Sequence, residues 1–134
     1  MSVRTDASVR AFRKYFKYSS GFENMTYFQI CDRLRGACRS EEDAIRVLAV
    51  YDTLISLRAL GKSECVDAIS FVYFVKPGRL PKANEISFRV RRFARLNSMD
   101  ERTVYRRIAE AKELYLALLE QKMRAYSGNG ENEN

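Results

Sequence analysis

Histidine is absent from this 134-residue chain, and with it the side chain that most often serves as a general base or a metal ligand. Neither a Ser–His nor a Cys–His pair for nucleophilic catalysis can therefore form. The sequence also lacks a glycine-rich phosphate-binding loop, and its acidic residues are scattered among basic ones rather than clustered as in a metal-dependent nuclease. We therefore expect that the protein is not an enzyme and needs neither a metal nor a cofactor.

Cysteine is scarce, and the pattern of the three cysteines excludes the usual cysteine sites. Cys31, Cys38 and Cys65 are odd in number and contain no C-x-x-C pair, which argues against a zinc site and a disulfide framework. We expect buried or half-buried thiols in a reducing cytosol. The sequence shows no signal peptide, lipidation motif or apolar run long enough to span a bilayer. These absences predict a cytoplasmic protein without a membrane partner.

Proline occurs only twice, and both prolines lie within residues 76–82. The rest of the chain is free of the residue that most strongly interrupts helices. Hydrophobic residues make up 46% of the sequence, enough for one small core. Because apolar residues recur at helical spacing in every strong segment, we predict an all-α fold of about five to six helices.

Residues 1–62 are predicted to form an N-terminal helical region. Val9, Phe12 and Phe16 are spaced for one face of a first helix, which either packs on the core or acts as a basic arm that contacts phosphate; we favour packing because aromatic side chains need burial. A second helix is predicted at residues 25–34, closing near Gly36. Ser40 is suited to cap a third helix, and Gly61 is suited to end it. A fourth helix, capped by Ser63, is predicted to follow from residue 64 to about residue 75.

The central feature of the sequence is residues 84–119, where two predicted helices are joined by a tight turn. Buried faces at helical spacing are expected to include Ile86 and Val90 in the first helix and Val104 in the second. Asn97 is predicted to take the left-handed conformation in the turn, and Asp100 is placed to cap the second helix. This is a helix-turn-helix pattern, so residues 63–126 are predicted to bind DNA, with residues 127–134 as a disordered tail.

Basic charge is concentrated beside this pattern. The chain has a net charge of +7, and residues 79–95 hold six basic residues against one acidic residue, which suits a phosphate backbone. The candidates for phosphate contact are Arg79, Lys82, Arg91, Arg92 and Arg95. The candidates for contact with base edges in the major groove, on the face of the second helix that is predicted to point outward, are Arg102, Thr103, Tyr105 and Arg106.

Residues 103–108, preceded by Met99 and Asp100, resemble the recognition helix of sigma-70 region 4. Residues 68–74, with Glu85 and Ile86 after a loop, resemble the helix that precedes it there. Small phage late-gene transcription regulators of the ArpU and RinA type share this arrangement, and the similarity covers about residues 64–120. The resemblance implies a sequence-specific regulator of phage or prophage origin that binds double-stranded DNA in the bacterial host cytoplasm. It also suggests RNA polymerase as a second partner.

Other functions stay open. A small terminase subunit also joins a helix-turn-helix to an oligomerising segment, and it would assemble as a ring. A basic helical module could instead bind an acidic partner protein. An RNA-binding protein would need an exposed aromatic side chain, and only Phe88 is a candidate; we expect it to pack against the N-terminal half. The apolar edge of the last helix either packs on the preceding helices or forms a homodimer contact. Its members are Leu114, Tyr115, Leu118, Leu119 and Met123.

Overall fold

The computed structural model describes the backbone of residues 6–74 and 83–132, and the side chains of residues 6–74 and 84–127. In these ranges the chain forms six α-helices, one short 3-10 helix and no β-strand, which confirms the predicted all-α class. The helices are α1 (Ala7–Tyr18), α2 (Tyr27–Ala37), α3 (Glu41–Ala59), α4 (Ser63–Tyr73), α5 (Ala83–Leu96) and α6 (Glu101–Asn132), with the 3-10 helix at Phe22–Asn24. None of the described helices combines the length and apolar character needed to cross a membrane.

The start of α2 is fixed by a capping box. The Thr26 hydroxyl accepts from the Gln29 backbone N–H at 3.2 Å, and the Gln29 side chain accepts from the Thr26 backbone N–H at 2.9 Å. These two bonds satisfy two backbone donors that a helix otherwise leaves free. They set the start of the helix at Tyr27, two residues later than predicted. The helix ends at Ala37, next to Gly36, where it was predicted to close.

The two ends of α3 are set by local signals that the sequence shows. Ser40 caps the helix by accepting from a backbone N–H three residues on, at 3.1 Å. Gly61 ends it in the left-handed conformation, with a φ of 77°, and the Lys62 amide donates to the Leu57 carbonyl at 2.8 Å. Both predicted positions are confirmed. The predicted cap for α4 is wrong, because Ser63 is already helical and Lys62 takes the cap position without a side-chain bond.

A single cluster of buried residues joins α1, α3, α4, α5 and α6. Phe12 of α1 lies at its centre, with ring centroids 5.7 Å from Tyr73 of α4 and 5.8 Å from Tyr115 of α6. The first helix therefore packs on the core, as favoured from its aromatic spacing. A smaller cluster lies under α2 and consists of Phe22, Ile30, Leu34, Ala44 and Val47. The described parts of the predicted N-terminal region and of the predicted DNA-binding region thus share one core.

Helix α6 begins beside α5 and continues along α3 as far as α2. Near its far end the Lys122 ammonium pairs with Asp52 of α3 and donates to the hydroxyl of Tyr27 at 3.2 Å. Burial acts to lower the pKa of Lys122, but the bonds to Asp52 and Tyr27 outweigh it and the pKa is raised. The helix runs to Asn132, past the start of the disordered tail predicted at residue 127, and no proline lies there to interrupt it.

The turn between α5 and α6 passes through one left-handed residue, which is Ser98 (φ 52°) rather than the predicted Asn97. The Met99 amide donates to the Ala94 carbonyl at 2.9 Å, and the Ser98 amide donates to the carbonyl three residues before it at 3.3 Å. These are the paired bonds of a Schellman helix end, which put the left-handed residue after the cap. Asn97 is that cap, and its side chain donates to the Phe93 carbonyl at 2.8 Å.

Gly61 and Ser98 occupy the same left-handed position in two Schellman ends, so substitutions there should change stability in opposite directions. Left-handed backbone costs a residue with a Cβ about 1–2 kcal/mol. We expect Ser98→Gly to raise the free energy of unfolding by about 1 kcal/mol and Gly61→Ala to lower it by a similar amount. A Cβ at Gly61 would meet no atom within 4 Å, so its effect is one of backbone alone. Urea unfolding followed by circular dichroism measures both changes.

The control is Gly36→Ala within α2, where a Cβ also meets no atom within 4 Å. Because that position is helical, alanine should raise the free energy of unfolding by roughly 0.5–1 kcal/mol. A loss of stability in Ser98→Gly would show that the turn does not have the described conformation.

Candidate nucleic-acid interface

The α5–α6 pair is held by an apolar contact between the two helices. Ile86 and Val90 of α5 and Val104 of α6 are fully buried, and Ile108 is nearly so. Ala94, also buried, is small enough to allow close approach where the helices meet. The predicted buried faces are therefore confirmed. Because both faces belong to the main core, the outward faces of α5 and α6 have a fixed direction.

The first turn of α6 is capped by Asp100, as predicted. Its carboxylate accepts from the Thr103 backbone N–H at 2.9 Å and from the Thr103 hydroxyl at 3.1 Å. These two bonds lower the pKa of Asp100, and the positive charges of Arg102 and Arg106 lower it further. The cap therefore places one carboxylate at the end of α6 that carries the candidate base-contacting residues.

Arg102 and Arg106 lie exposed on one face of α6, four residues apart. Neither forms an ion pair with any residue that the structure describes. Glu110, which could have paired with Arg106 one turn earlier, pairs with Lys62 instead. Both guanidinium groups can therefore reach a ligand without breaking a salt bridge within residues 6–74 or 84–127.

Thr103 and Tyr105 lie at the edges of this outward face rather than on it. Thr103 is half-buried and its hydroxyl already donates to Asp100. Tyr105 is half-buried and packs against the main core, so the expectation that it points fully outward is wrong. Three residues before buried Ile108, it lies beside the buried stripe of α6. The structure brings two of the four base-contact candidates to the open face and two to its margins.

Three of the five phosphate-contact candidates lie along the outer face of α5. Arg91, Arg92 and Arg95 are all exposed. The Arg91 Nε lies 3.8 Å from a carboxylate oxygen of Glu101, an exposed pair of a kind that contributes well under about 1 kcal/mol and leaves Arg91 able to contact phosphate. Arg92 and Arg95 form no ion pair within the described ranges. The other two candidates, Arg79 and Lys82, lie outside the described residues.

Phe88 is exposed on α5, so the expectation that it packs against the N-terminal half is wrong. Its side chain is 58% exposed, while Ile86 and Val90 on either side are fully buried. Residues two positions apart do not share a helix face, so Phe88 falls on the side that carries the arginines. The helical spacing relative to Ile86 and Val90 is the signal that predicts this position.

Two contacts that support the interface were missed from the sequence. Arg107 is half-buried and its guanidinium donates to the Met99 sulfur at 3.6 Å, which joins the turn to α6. Lys62, at the junction of α3 and α4, pairs with Glu110 of α6. The partners of the second contact are distant in sequence, and no local spacing rule connects them.

Comparisons with known proteins identify no relative of this chain. No protein-family model matches the chain, and neither a curated protein nor a solved structure matches it. The similarity to sigma-70 region 4 and to phage regulators therefore stays a prediction.

The Asp100 cap generates a pH-dependent stability. Because the carboxylate has a pKa below its ordinary value of 3.8, its contribution is fully present above that value and is lost as the pH falls through the lower folded-state pKa. We expect Asp100→Ala to lower the melting temperature at neutral pH, and the difference from the unsubstituted protein to shrink well below pH 3.8. Thermal unfolding followed by circular dichroism measures this difference.

Asp100→Asn is the matched variant, because asparagine caps helices as well as aspartate and does not titrate. Its advantage over Asp100→Ala should stay constant across the same pH range. An advantage of Asp100 over alanine that is unchanged in acid would show that the carboxylate does not act as the cap.

Proposed function

We propose that the protein is a sequence-specific double-stranded DNA-binding transcription regulator, and that the start of α6 enters the major groove. The observation that carries the proposal is the pair Arg102 and Arg106, exposed on one face near the start of a helix that Val104 and Ile108 anchor in the core. Recognition helices contact base edges with their N-terminal residues. An arginine there can donate to both acceptors of a guanine.

In the same arrangement α5 lies across the phosphate backbone. Its exposed arginines, Arg91, Arg92 and Arg95, face outward over little more than one helical turn. Arg79 and Lys82 precede α5 in sequence and add positive charge to the same part of the chain. Phosphate contacts fix the position of a protein on the duplex without specifying sequence, and this is the role we assign to the five residues.

Thr103 and Tyr105 have lesser roles at the margins of the groove. The Thr103 hydroxyl is already bonded to Asp100, so its methyl group is the part that would touch a thymine methyl. Tyr105 is anchored by its ring against the core, which leaves its hydroxyl to contact phosphate. The role in transcription, the phage or prophage origin and the partnership with RNA polymerase are supported by the resemblance of residues 64–120 to region 4 and to late-gene regulators.

A homodimer is part of the proposal. Leu114 and Leu119 are half-buried against the core, whereas Leu116 of the same helix is 54% exposed. A dimer formed through this part of α6 would present two copies of the α6 start to DNA. Dimeric proteins of this kind contact half-sites one helical turn apart, roughly 34–36 Å, so the selected sites should contain two related half-sites.

Selection from a random duplex pool tests the proposed function. The unsubstituted protein should enrich one motif, and Arg106→Ala should lose the preference at one base pair of it. A good bidentate contact gives about 1–3 kcal/mol of discrimination, or roughly 5- to 150-fold in relative affinity. The melting temperature of Arg106→Ala should stay nearly unchanged, because the side chain is exposed and forms no ion pair with a described residue.

Arg124→Ala is the matched control for this experiment. Arg124 is an exposed arginine of the same helix, about 27 Å from Arg106 at the usual rise of about 1.5 Å per residue, and it pairs with Glu120. This variant should select the same motif as the unsubstituted protein. Failure of the unsubstituted protein to enrich any motif would refute sequence-specific recognition and favour the alternative of a basic module that binds an acidic protein.

The α5 arginines should govern the salt dependence of binding. Each phosphate contact contributes about 0.9 to the slope of log affinity against log salt. Arg91→Ala with Arg92→Ala should therefore weaken binding to all duplexes about equally and flatten that slope. The control is Arg35→Ala with Arg39→Ala, which removes the same charge from exposed positions in the last turn of α2 and just after it. A double α5 variant that keeps the slope and loses only its preferred site would contradict the assignment.

A further inference from the structure

The outer face of α5 combines an exposed aromatic ring with a row of arginines. Phe88 is 58% exposed, and Arg91, Arg92 and Arg95 follow it at three, four and seven residues, which places all four on one helix face. The three arginines are exposed as well. The sequence of α5 contains one carboxylate, Glu85, against four arginines.

The ring is not needed for the packing of α5. The buried positions of this helix are filled by Ile86, Val90, Phe93 and Ala94. Phe93 also packs on Phe71 of α4, with ring centroids 5.2 Å apart. More than half of the Phe88 side chain therefore lies outside the core, where a ligand can contact it.

A second exposed phenylalanine shows what distinguishes Phe88. Phe28 of α2 is 77% exposed, but the residues three and four positions after it are Cys31 and Asp32. Arg35, one turn further on, pairs with Glu41 at 3.8 Å. Isolated apolar residues on a surface are ordinary. Phe28 therefore lacks the basic side chains that follow Phe88 three and four positions on, on the same helix face.

The chemistry of this face fits an unpaired nucleotide better than a duplex. In a duplex the bases are stacked inside and the backbone offers no flat apolar surface to a phenyl ring. In a single strand each nucleotide brings one exposed base and one phosphate. Arg91 and Arg92 lie about 4.5 and 6 Å further along the helix axis than Phe88, so one nucleotide can stack on the ring while its phosphate meets a guanidinium. Aromatic stacking beside basic residues is typical of single-strand binding.

We infer that the outer face of α5 binds single-stranded nucleic acid, with a base stacked on Phe88 and phosphates held by Arg91, Arg92 and Arg95. This goes beyond the proposed duplex recognition, because it depends on the α5 ring and not on the α6 arginines. The two ligands share the three arginines, so a single strand and a duplex compete for the protein.

Fluorescence anisotropy with labelled oligonucleotides tests the inference. The probes are oligo-deoxythymidylate, an oligomer of abasic sugar phosphates of equal length, and a duplex. Stacking contributes about 1–3 kcal/mol per base, so Phe88→Ala should weaken binding to oligo-deoxythymidylate by roughly 5- to 150-fold. Binding of Phe88→Ala to the abasic oligomer and the duplex should not change. Phe28→Ala, the matched control, should bind all three probes as the unsubstituted protein does.

A fluorescent reporter gives a second, direct measurement. The chain contains no tryptophan, so Phe88→Trp and Phe28→Trp each introduce one indole at an exposed site. Oligo-deoxythymidylate should quench the indole at position 88 and not the one at position 28, and the abasic oligomer should quench neither. Oligouridylate in place of oligo-deoxythymidylate shows whether RNA or DNA is the better single strand, and tight binding of either supports the inference.

Three results would overturn the inference. The first is oligo-deoxythymidylate binding by Phe88→Ala that equals that of the unsubstituted protein. The second is an equal loss of affinity for all three probes, which would show a general effect on the surface. The third is displacement of the strand from Phe88 by polyglutamate as effectively as by unlabelled strand, which would identify an acidic protein as the partner. A double variant, Arg102→Ala with Arg106→Ala, separates the two proposals, since it should lose duplex preference and keep oligo-deoxythymidylate binding.

Discussion

The burial of one face of α6 determines how the helices of the main core are arranged. Val104, Ala111 and Tyr115 lie along that face, and all three are fully or almost fully buried. They belong to a helix that packs against helices from both halves of the chain, namely α1, α3, α4 and α5. Because this face of α6 is buried in the core, the opposite face at the start of the helix points to solvent. Arg102 and Arg106 lie on that opposite face and are exposed.

The sequence predicted features whose cause is local. Ser40 and Asp100 cap helices because a side-chain oxygen meets an amide three residues on. Gly61 ends α3 because glycine tolerates the left-handed backbone. The same reasoning failed at Asn97, because the left-handed residue comes after the last regular helical bond of α5. The Asn97 amide still donates to the carbonyl four residues before it, whereas the Ser98 amide donates to the carbonyl three residues before it. It also missed Thr26, although the capping box is itself a local signal.

The helical period of the apolar residues predicted which side chains of the candidate interface are exposed, but only in part. Arg102 and Arg106 were placed correctly relative to the buried stripe, because the stripe itself is evident from spacing. The width of the buried stripe depends on which helices flank α6, and spacing alone does not give it. Tyr105 was therefore expected to point outward, whereas it is half-buried against the core. The contact of Lys62 with Glu110 could not be found without the tertiary fold.

Because α6 is long, it contacts both halves of the chain, and the two halves cannot be separated without loss of these contacts. A boundary at residue 62 would separate Asp52 from Lys122 and Lys62 from Glu110, both of which pair across it. It would also take Phe12 away from the rings of Tyr73 and Tyr115. The part of the chain after residue 62 is therefore not an exchangeable module that another N-terminal segment could carry. A substitution in the first half is tolerated only where α1 and α3 can still pack against α6.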